Sequence, residues 1–392
     1  MDILKEAKDI SEWIVTLRRQ IHRHPELMYE EVKTSQLVRD TLDQLRIPYQ
    51  YPLAKTGVVA TLGDGKGPCV ALRADMDALP IHEETDVPFR SEIDNKMHAC
   101  GHDCHTAMLL GAARLLKKHE SELRGTVKLI FQPAEEGGAG ADVMCREGVL
   151  EGPKVDRIFG LHVYPVLNTG AVAGNPGIIL AATGCFEATV KGKGGHGAMP
   201  HTTIDPVTCA AKIIVELQTI VSRETNPFSP TVVTIGSIHG GVASNVIPET
   251  VKISGTFRSL SDAGLAVVKQ RIEEIIVGVA TTNRCTATIS YPYVDYPPTV
   301  NDEASWDLAR KAAEVVVGGQ NVRPMDPLLG GEDFAFFQQR IPGAFAFLGV
   351  SAADWETRHG VHHPRFRVDE NALPIGAAIH TQIAMDTLTR QQ

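Results

Sequence analysis

The 392-residue chain contains no apolar run approaching the ~20 residues that a membrane-spanning helix requires. It has no excess of positive charge. Its 38 Lys and Arg against 47 Asp and Glu leave a formal net charge of −9, which argues against nucleic acid and anionic membranes as partners. It also lacks a cysteine framework. The seven cysteines are odd in number and scattered, a pattern of reduced thiols with one candidate ligand among them. The opening MDILKEAKDISEWIV mixes charges into a helical apolar pattern and has no signal-peptide core, so a cytoplasmic location is expected. No internal repeat or low-complexity segment is present. None of these absences identifies a substrate.

A chain of this length exceeds the usual size of one hydrophobic core, so two domains are expected. Hydrophobic content of 43% and charged content of 22% are those of an ordinary globular protein. The densest cluster of metal-ligating residue types is His98-Ala99-Cys100-Gly101-His102-Asp103-Cys104-His105. If this segment is extended, Cys100 and His102 at i and i+2 leave the backbone on one face. Thiolate and imidazole on one face suit zinc, or manganese with carboxylate help. A lone pair of this kind would be a buried thiol and a loop imidazole. The rest of the chain argues otherwise.

Apolar positions at helical spacing cover residues 3–45, with a break at His24-Pro25-Glu26 and a second pattern at Val32–Leu45. Strands are expected at Val58–Leu62 and Cys69–Leu72, and the second runs into Arg73-Ala74-Asp75-Met76-Asp77. Thr106–Lys118 is a predicted helix with lysines in its last turn and Asp103 near its start. The strand pattern Thr126–Phe131 leads into Gln132-Pro133-Ala134-Glu135-Glu136-Gly137-Gly138, and Arg157–His162 is an apolar strand ending on a histidine. From Gly184 the order becomes strand (Phe186–Lys191), helix (Asp205–Val221), strand (Thr231–His239), strand (Val251–Arg258), helix (Gly264–Ala280) and strand (Arg284–Tyr291). That β-α-β-β-α-β order is the ferredoxin-like motif. After Pro297-Pro298, helix, strand and helix return at Ala304–Val317, Ala344–Leu348 and Asn371–Leu388. The expected architecture is therefore a discontinuous α/β domain, residues 1–183 and 293–392, carrying an inserted α+β domain at 184–292.

Candidate ligands collect at the expected strand ends: Asp75 and Asp77, Cys100 and His102, Glu135 and Glu136, and His162, with His362-His363-Pro364 near the C-terminus. A structural zinc normally uses clustered pairs, whereas ligands from successive strand ends of one sheet suggest a catalytic site. Two neighbouring ions would account for so many acidic and imidazole groups. The adjacent glutamates would diverge, one toward an ion and the other toward water. A cysteine nucleophile at Cys100 is the weaker reading, because it needs one base and an oxyanion hole rather than two glutamates and further imidazoles.

The stretches RADMDALP, HACGHDCH, QPAEEGG, GKGGHGAMPH, GGEDFAFF and HHPRF resemble the signatures of the aminoacylase/carboxypeptidase-like family of dinuclear metallohydrolases. They are most similar to its amidohydrolase branch of hippurate hydrolases and plant auxin-conjugate hydrolases, and the resemblance spans nearly the whole chain. It implies a zinc-peptidase-like α/β/α sandwich with an inserted lid or dimerisation domain. By motif it also implies metal ligands at Cys100, His102, Glu136, His162 and His362, with Glu135 as general base and Asp77 orienting the ligands. In the wider family a histidine matches Asp75, and here His102 takes over that ligand role. The last ligand stands two residues before proline, which selects His362 over His363. The implied cofactors are two divalent ions, manganese or zinc first, cobalt or nickel as alternatives.

His196, in Lys193-Gly194-Gly195-His196-Gly197, is either a turn histidine or, by the resemblance, a lid donor to the substrate carbonyl. Arg258 is either a solvated strand-end charge or the anchor of a substrate carboxylate, with Asn245 beside it. Glu332 and Asp333 are expected to orient loops, and Cys69, Cys104, Cys145, Cys185, Cys209 and Cys285 to be packing thiols. The expected function is metal-dependent hydrolysis of N-acyl amino acids, such as N-acetyl, N-benzoyl or indoleacetyl conjugates. The alternatives are a metallo-carboxypeptidase acting on short peptides and a non-catalytic binding protein. The expected partner is a small N-acyl amino acid, in a homodimer or higher homo-oligomer.

Overall fold

The computed structural model describes residues 2–389, and its chain divides into two compact units. Of the described residues, the first unit takes in those up to Ile179, Val300–Asp326 and those from Asp333 onward, and the second Leu180–Thr299 with Pro327–Glu332. The second unit thus takes in Pro327–Glu332, a segment whose sequence carries no sign of it.

The first unit is built on one eight-stranded sheet. Its strands are β1 (Tyr49–Leu53), β2 (Gly57–Gly63), β3 (Cys69–Asp75), β4 (Thr126–Gln132), β5 (Arg157–Asn168), β6 (Val172–Ala173), Val322–Arg323 and Gly343–Ser351. Their spatial order is β1-β2-β4-β3-β5-(343–351)-β6-(322–323). The central four, β4, β3, β5 and Gly343–Ser351, run parallel. Every residue of β3, β4 and Gly343–Ser351 is buried, as parallel strands covered by helices require. β1 carries Pro52 and lies at the sheet edge, the one place where a missing N–H costs no ladder bond.

The helices are α1 (Ile3–Asp9), α2 (Ser11–Arg23), α3 (Val32–Gln44), α4 (His102–Lys118) and α5 (Gly140–Arg146), with Glu303–Val317, Ala335–Gln338 and Ala372–Thr389 later in the chain. α4 packs against Ala372–Thr389, α2 and β3, placing Leu109, Ile14, Leu72 and Ile379 in one continuous core.

Two expectations are corrected by the chain's path. The segment 98–102 is not extended: Gly101 takes φ +91° and His102 already begins α4. The strand carrying His162 does not end there but continues six residues to Asn168, because its ladder with Gly343–Ser351 runs on past His162.

The second unit holds a four-stranded antiparallel sheet in the order Thr231–His239, Thr250–Ser259, Ala182–Lys191, Thr286–Ser290. With helices Pro206–Thr219 and Asp262–Thr282 this is the ferredoxin-like order. Burial alternates along Ala182–Lys191 and Thr250–Ser259, so one face carries Phe186, Ala188, Ile253 and Phe257 into the helices. Each helix starts on a side-chain cap: Asp205 accepts from Val207 and Thr208, and Ser261 from Gly264.

The packing of α2, α4 and Ala372–Thr389 leaves no room at Gly111, where a Cβ would lie 2.8 Å from both Ala377 Cβ and Ile14 Cδ1. Gly111→Val should therefore destabilise the protein by about 1–3 kcal/mol, visible as a lower urea midpoint.

Candidate metal centre

Five segments of the first unit deliver the candidate ligands. β3 ends on Asp75 with Asp77 just beyond it, β4 ends on Gln132 and turns through Ala134 into Glu135 and Glu136, and β5 carries His162. The fourth is the turn into α4, where Gly101 has positive φ and a Cβ would stand 2.4 Å from Val163 Cγ2. Only glycine fits that bend. It brings Cys100 and His102 together despite the absence of a strand. His362 joins them from near the C-terminus, its own φ at +66° and its N–H donating to Ala99 O at 2.8 Å.

The donor atoms of Cys100, His102 and His162 lie within 4.8 Å of one another, as do those of Cys100, Glu136 and His362. Cys100 is common to both sets. Its Sγ is 3.4 Å from His162 Nε2, and Glu136 Oε1 is 3.2 Å from His362 Nε2. Glu135 groups with His102 and Glu136 within the same limit. His363 takes no part in these groups: its Nδ1 accepts from Arg365 N, and its ring stacks on His359.

The surrounding bonds fix which nitrogens face the cluster. His162 Nδ1 lies 2.7 Å from Val163 O, which can only accept, so the proton is on Nδ1 and Nε2 offers its lone pair. His102 Nδ1 likewise donates to Asp77 Oδ1 at 3.3 Å, leaving Nε2 buried with no hydrogen-bond partner among the described residues. Asp77 also accepts the backbone N–H groups of Glu135 and Glu136, each at 3.0 Å. One carboxylate therefore sets both glutamates and one imidazole.

Asp75 is not among the donors nearest Cys100. Its Oδ1 accepts from His105 Nδ1 at 2.5 Å and its Oδ2 from Arg73 at 2.7 Å. His105 Nε2 in turn accepts the Val163 N–H at 2.9 Å. The Arg73 guanidinium, 1% exposed, also reaches Gln132 and Asp333 at 2.8 and 2.9 Å. Asp333 accepts from Gln132 and from the N–H of Ala141 in α5. The sequence motifs around Arg73, Gln132 and Asp333 are thus knitted into one buried network. Sequence reasoning misses the parts taken by Arg73, Gln132 and His105, although a charged residue inside an otherwise apolar strand pattern is a signal.

Electrostatics favour a cation here. Burial pushes the Cys100 thiol well above its usual range, and the carboxylates of Glu136, Glu135 and Asp75 push it further. Burial lowers His102, but Asp75 and Asp77 outweigh it and raise the imidazole to about 10. Burial, then His105, holds His162 well below the ordinary histidine value. A group of carboxylates that calls for positive charge, beside the neutral His162 lone pair and a His102 Nε2 with no hydrogen-bond partner among the described residues, suits a divalent ion, which would displace the His102 Nε2 proton. Such an ion would also deprotonate the thiol. The residues fit the group.

The remaining sequence candidates belong to the second unit. His196 is not on a free loop but in the two-residue strand Gly195–His196, paired with Val246–Ile247, which brings Asn245 alongside. Arg258 is half-buried in Thr250–Ser259, and its Nη1 donates to Leu329 O at 2.7 Å. Among the described residues no carboxylate pairs with it.

An open α/β sheet with such a donor set at its carboxyl ends defines the class of metal-dependent hydrolases. Residues 71–386 match the model of Peptidase family M20/M25/M40, and the chain belongs to that family. It is 48% identical to the IAA-amino acid hydrolase ILR1-like 4 of Arabidopsis thaliana, over 97% of this chain and 87% of that one. It is 42% identical to the N-acetyl-L-cysteine deacetylase of Bacillus subtilis (strain 168), over 92% and 84%. Among solved structures, a Bacillus subtilis protein described as a dinuclear metal-binding peptidase of the M20 family superposes with a TM-score of 0.80. The identity is 36%, covering 97% of this chain and 99% of that one.

Since Asp77 supports three groups of the centre, Asp77→Ala should weaken divalent-ion binding about 10–100-fold. Calorimetric titration of metal into the stripped protein measures this.

Proposed function

We propose that the protein is a metal-dependent amidohydrolase that cleaves N-acyl amino acids to a carboxylate and a free amino acid. The observation that carries this reading is Glu135. It lies beside the two donor groups that share Cys100 and belongs to neither, and binding alone has no use for a second buried carboxylate there. The relatives that hydrolyse indoleacetyl-amino acids and deacetylate N-acetylcysteine support the substrate class.

Cys100, His102, Glu136, His162 and His362 would hold two divalent ions, manganese or zinc, with cobalt or nickel as alternatives. Ions held there would polarise the scissile carbonyl and would lower the pKa of a water from about 15.7 to about 7. Glu135 accepts the proton of the attacking water and returns it to the amide nitrogen as the C–N bond breaks. Its buried carboxylate is placed for this by the Asp333 N–H, 3.4 Å from Oε1, and by the grip of Asp77 on its own amide. Asp77 accepts the His102 Nδ1 proton, so that Nε2 is the nitrogen an ion would take in place of its proton.

Arg258 pairs with the substrate α-carboxylate. Burial lowers its pKa, an effect that Cys185 offsets only in part, and among the described residues no carboxylate pairs with it, so an anionic ligand suits its charge. Asn245 assists, and His196 donates to the carbonyl oxygen as negative charge develops on it. The inserted α+β unit thereby serves as the substrate-binding and lid element and as the surface for a homodimer. Seven free thiols suit a reducing cytoplasm.

Turnover of N-acetyl, N-benzoyl and indoleacetyl amino acids, set against N-blocked dipeptides, tests the substrate class. The expected outcome is faster hydrolysis of the simple acyl compounds, abolished by chelator and restored by metal. Preference for blocked dipeptides would make the enzyme a carboxypeptidase. In a separate test, Glu135→Gln should keep its metal and its substrate affinity while kcat falls ~10²–10⁴-fold. Near-normal turnover would move the base elsewhere.

A further inference from the structure

Glu31 directly precedes α3, where a side chain normally caps the helix, yet it makes no cap bond. Glu26 does that work instead, accepting from the N–H groups of Lys33 and Thr34 at 3.0 and 2.9 Å. The Glu31 side chain is fully buried and turns toward the loop after β4. Its Oε1 accepts the N–H groups of Ala134 and Tyr29, both at 2.9 Å, and its Oε2 accepts the Thr56 hydroxyl at 2.5 Å.

Ala134 is the residue at which that loop changes direction. Its φ is +57°, a left-handed conformation that a residue with a Cβ keeps only where its surroundings impose it. Three successive amides, those of Ala134, Glu135 and Glu136, are therefore held by two carboxylates, the first by Glu31 and the next two by Asp77. Without Glu31 the Ala134 N–H would be buried with no acceptor, a situation folded chains avoid.

We infer that Glu31 is a positioning residue for the hydrolysis, fixing Ala134 and through it the place of the Glu135 carboxylate. This rests on the reading of Glu135 as the base. Glu31 touches neither the ligand side chains nor the reacting atoms. Burial and the charge of Asp77 push its carboxyl up to about 7, so the fold keeps an acid where its ionised form is disfavoured. Such placements concentrate at functional sites.

The test is a double-mutant cycle on the metal-loaded enzyme, measuring kcat, KM and metal content. Glu31→Ala and Glu31→Asp, which withdraw the acceptor from Ala134, should each lower kcat ~10–100-fold, the scale of a small misplacement of a reacting group. KM and metal content should hold. Glu31→Gln keeps an oxygen for the Ala134 amide and should recover most of the loss. In a Glu135→Gln background the same Glu31→Ala change should cost no more than about 3-fold, because residues acting through one another are not additive. Equal fractional losses in both backgrounds, a wild-type kcat in Glu31→Ala, or a loss that follows metal content would overturn the inference. If Glu31→Ala does not fold, Glu31→Asp carries the cycle. Normal turnover in Glu135→Gln alone would instead overturn the base assignment, so the two failures are distinct.

Discussion

Asp77 is buried, and a buried carboxylate persists only where donors surround it. Here the donors are two successive backbone amides and an imidazole, and all three belong to the candidate centre. The requirement works in both directions. The amides satisfy Asp77, and Asp77 keeps Glu135 and Glu136 from rotating out of place. Without this bond set, the turn after β4 would present two acidic side chains with nothing to fix their separation.

Arg73 has the corresponding role a layer deeper. Its guanidinium links the end of β3 to Gln132 on β4 and to Asp333, just before the short helix Ala335–Gln338, all within the first unit. An arginine so deeply buried is tolerable because Asp75 and Asp333 neutralise it and Gln132 takes a further N–H. The positively charged interior in turn keeps Asp75 ionised. Burial alone would raise that carboxyl, but His102, His105 and Arg73 hold it well below its usual range. The donors facing the cluster thus rest on a second set of charges that balances itself.

Much of this was legible in the sequence, for definable reasons. Long helices and buried strands announce themselves by period, so α3, α4, β3 and β4 fall close to the expected ranges, while the break between α1 and α2 lies inside a stretch read as one helical pattern. The short α5, the two-residue β6 and the proline-bearing β1 were not legible, because each is held by neighbours rather than by local pattern. The structure gathers Cys100, His102, Glu136, His162 and His362, which the motifs had marked. The geometry behind that gathering was not readable. Cys100 and His102 meet through a left-handed glycine and a helix start, not through strand alternation. Glu31 escapes notice because nothing in the sequence singles it out, and only the fold shows it buried against the loop after β4 while Glu26 takes the amides at the start of α3.

The order of the strands bears on synthesis. Gly343–Ser351 sits inside the main sheet, beside β5, yet it is made only after the second unit's strands and helices. While the chain emerges, β5 is left with an unpaired parallel edge, whereas the ferredoxin-like sheet already has all four of its strands by residue 290. The later-encoded stretch in the middle of the chain is therefore the first that can complete its own hydrogen bonding, and the earliest-encoded sheet waits for the last third of the chain. The nascent protein carries an open β edge through that interval, the kind of surface that chaperones shield.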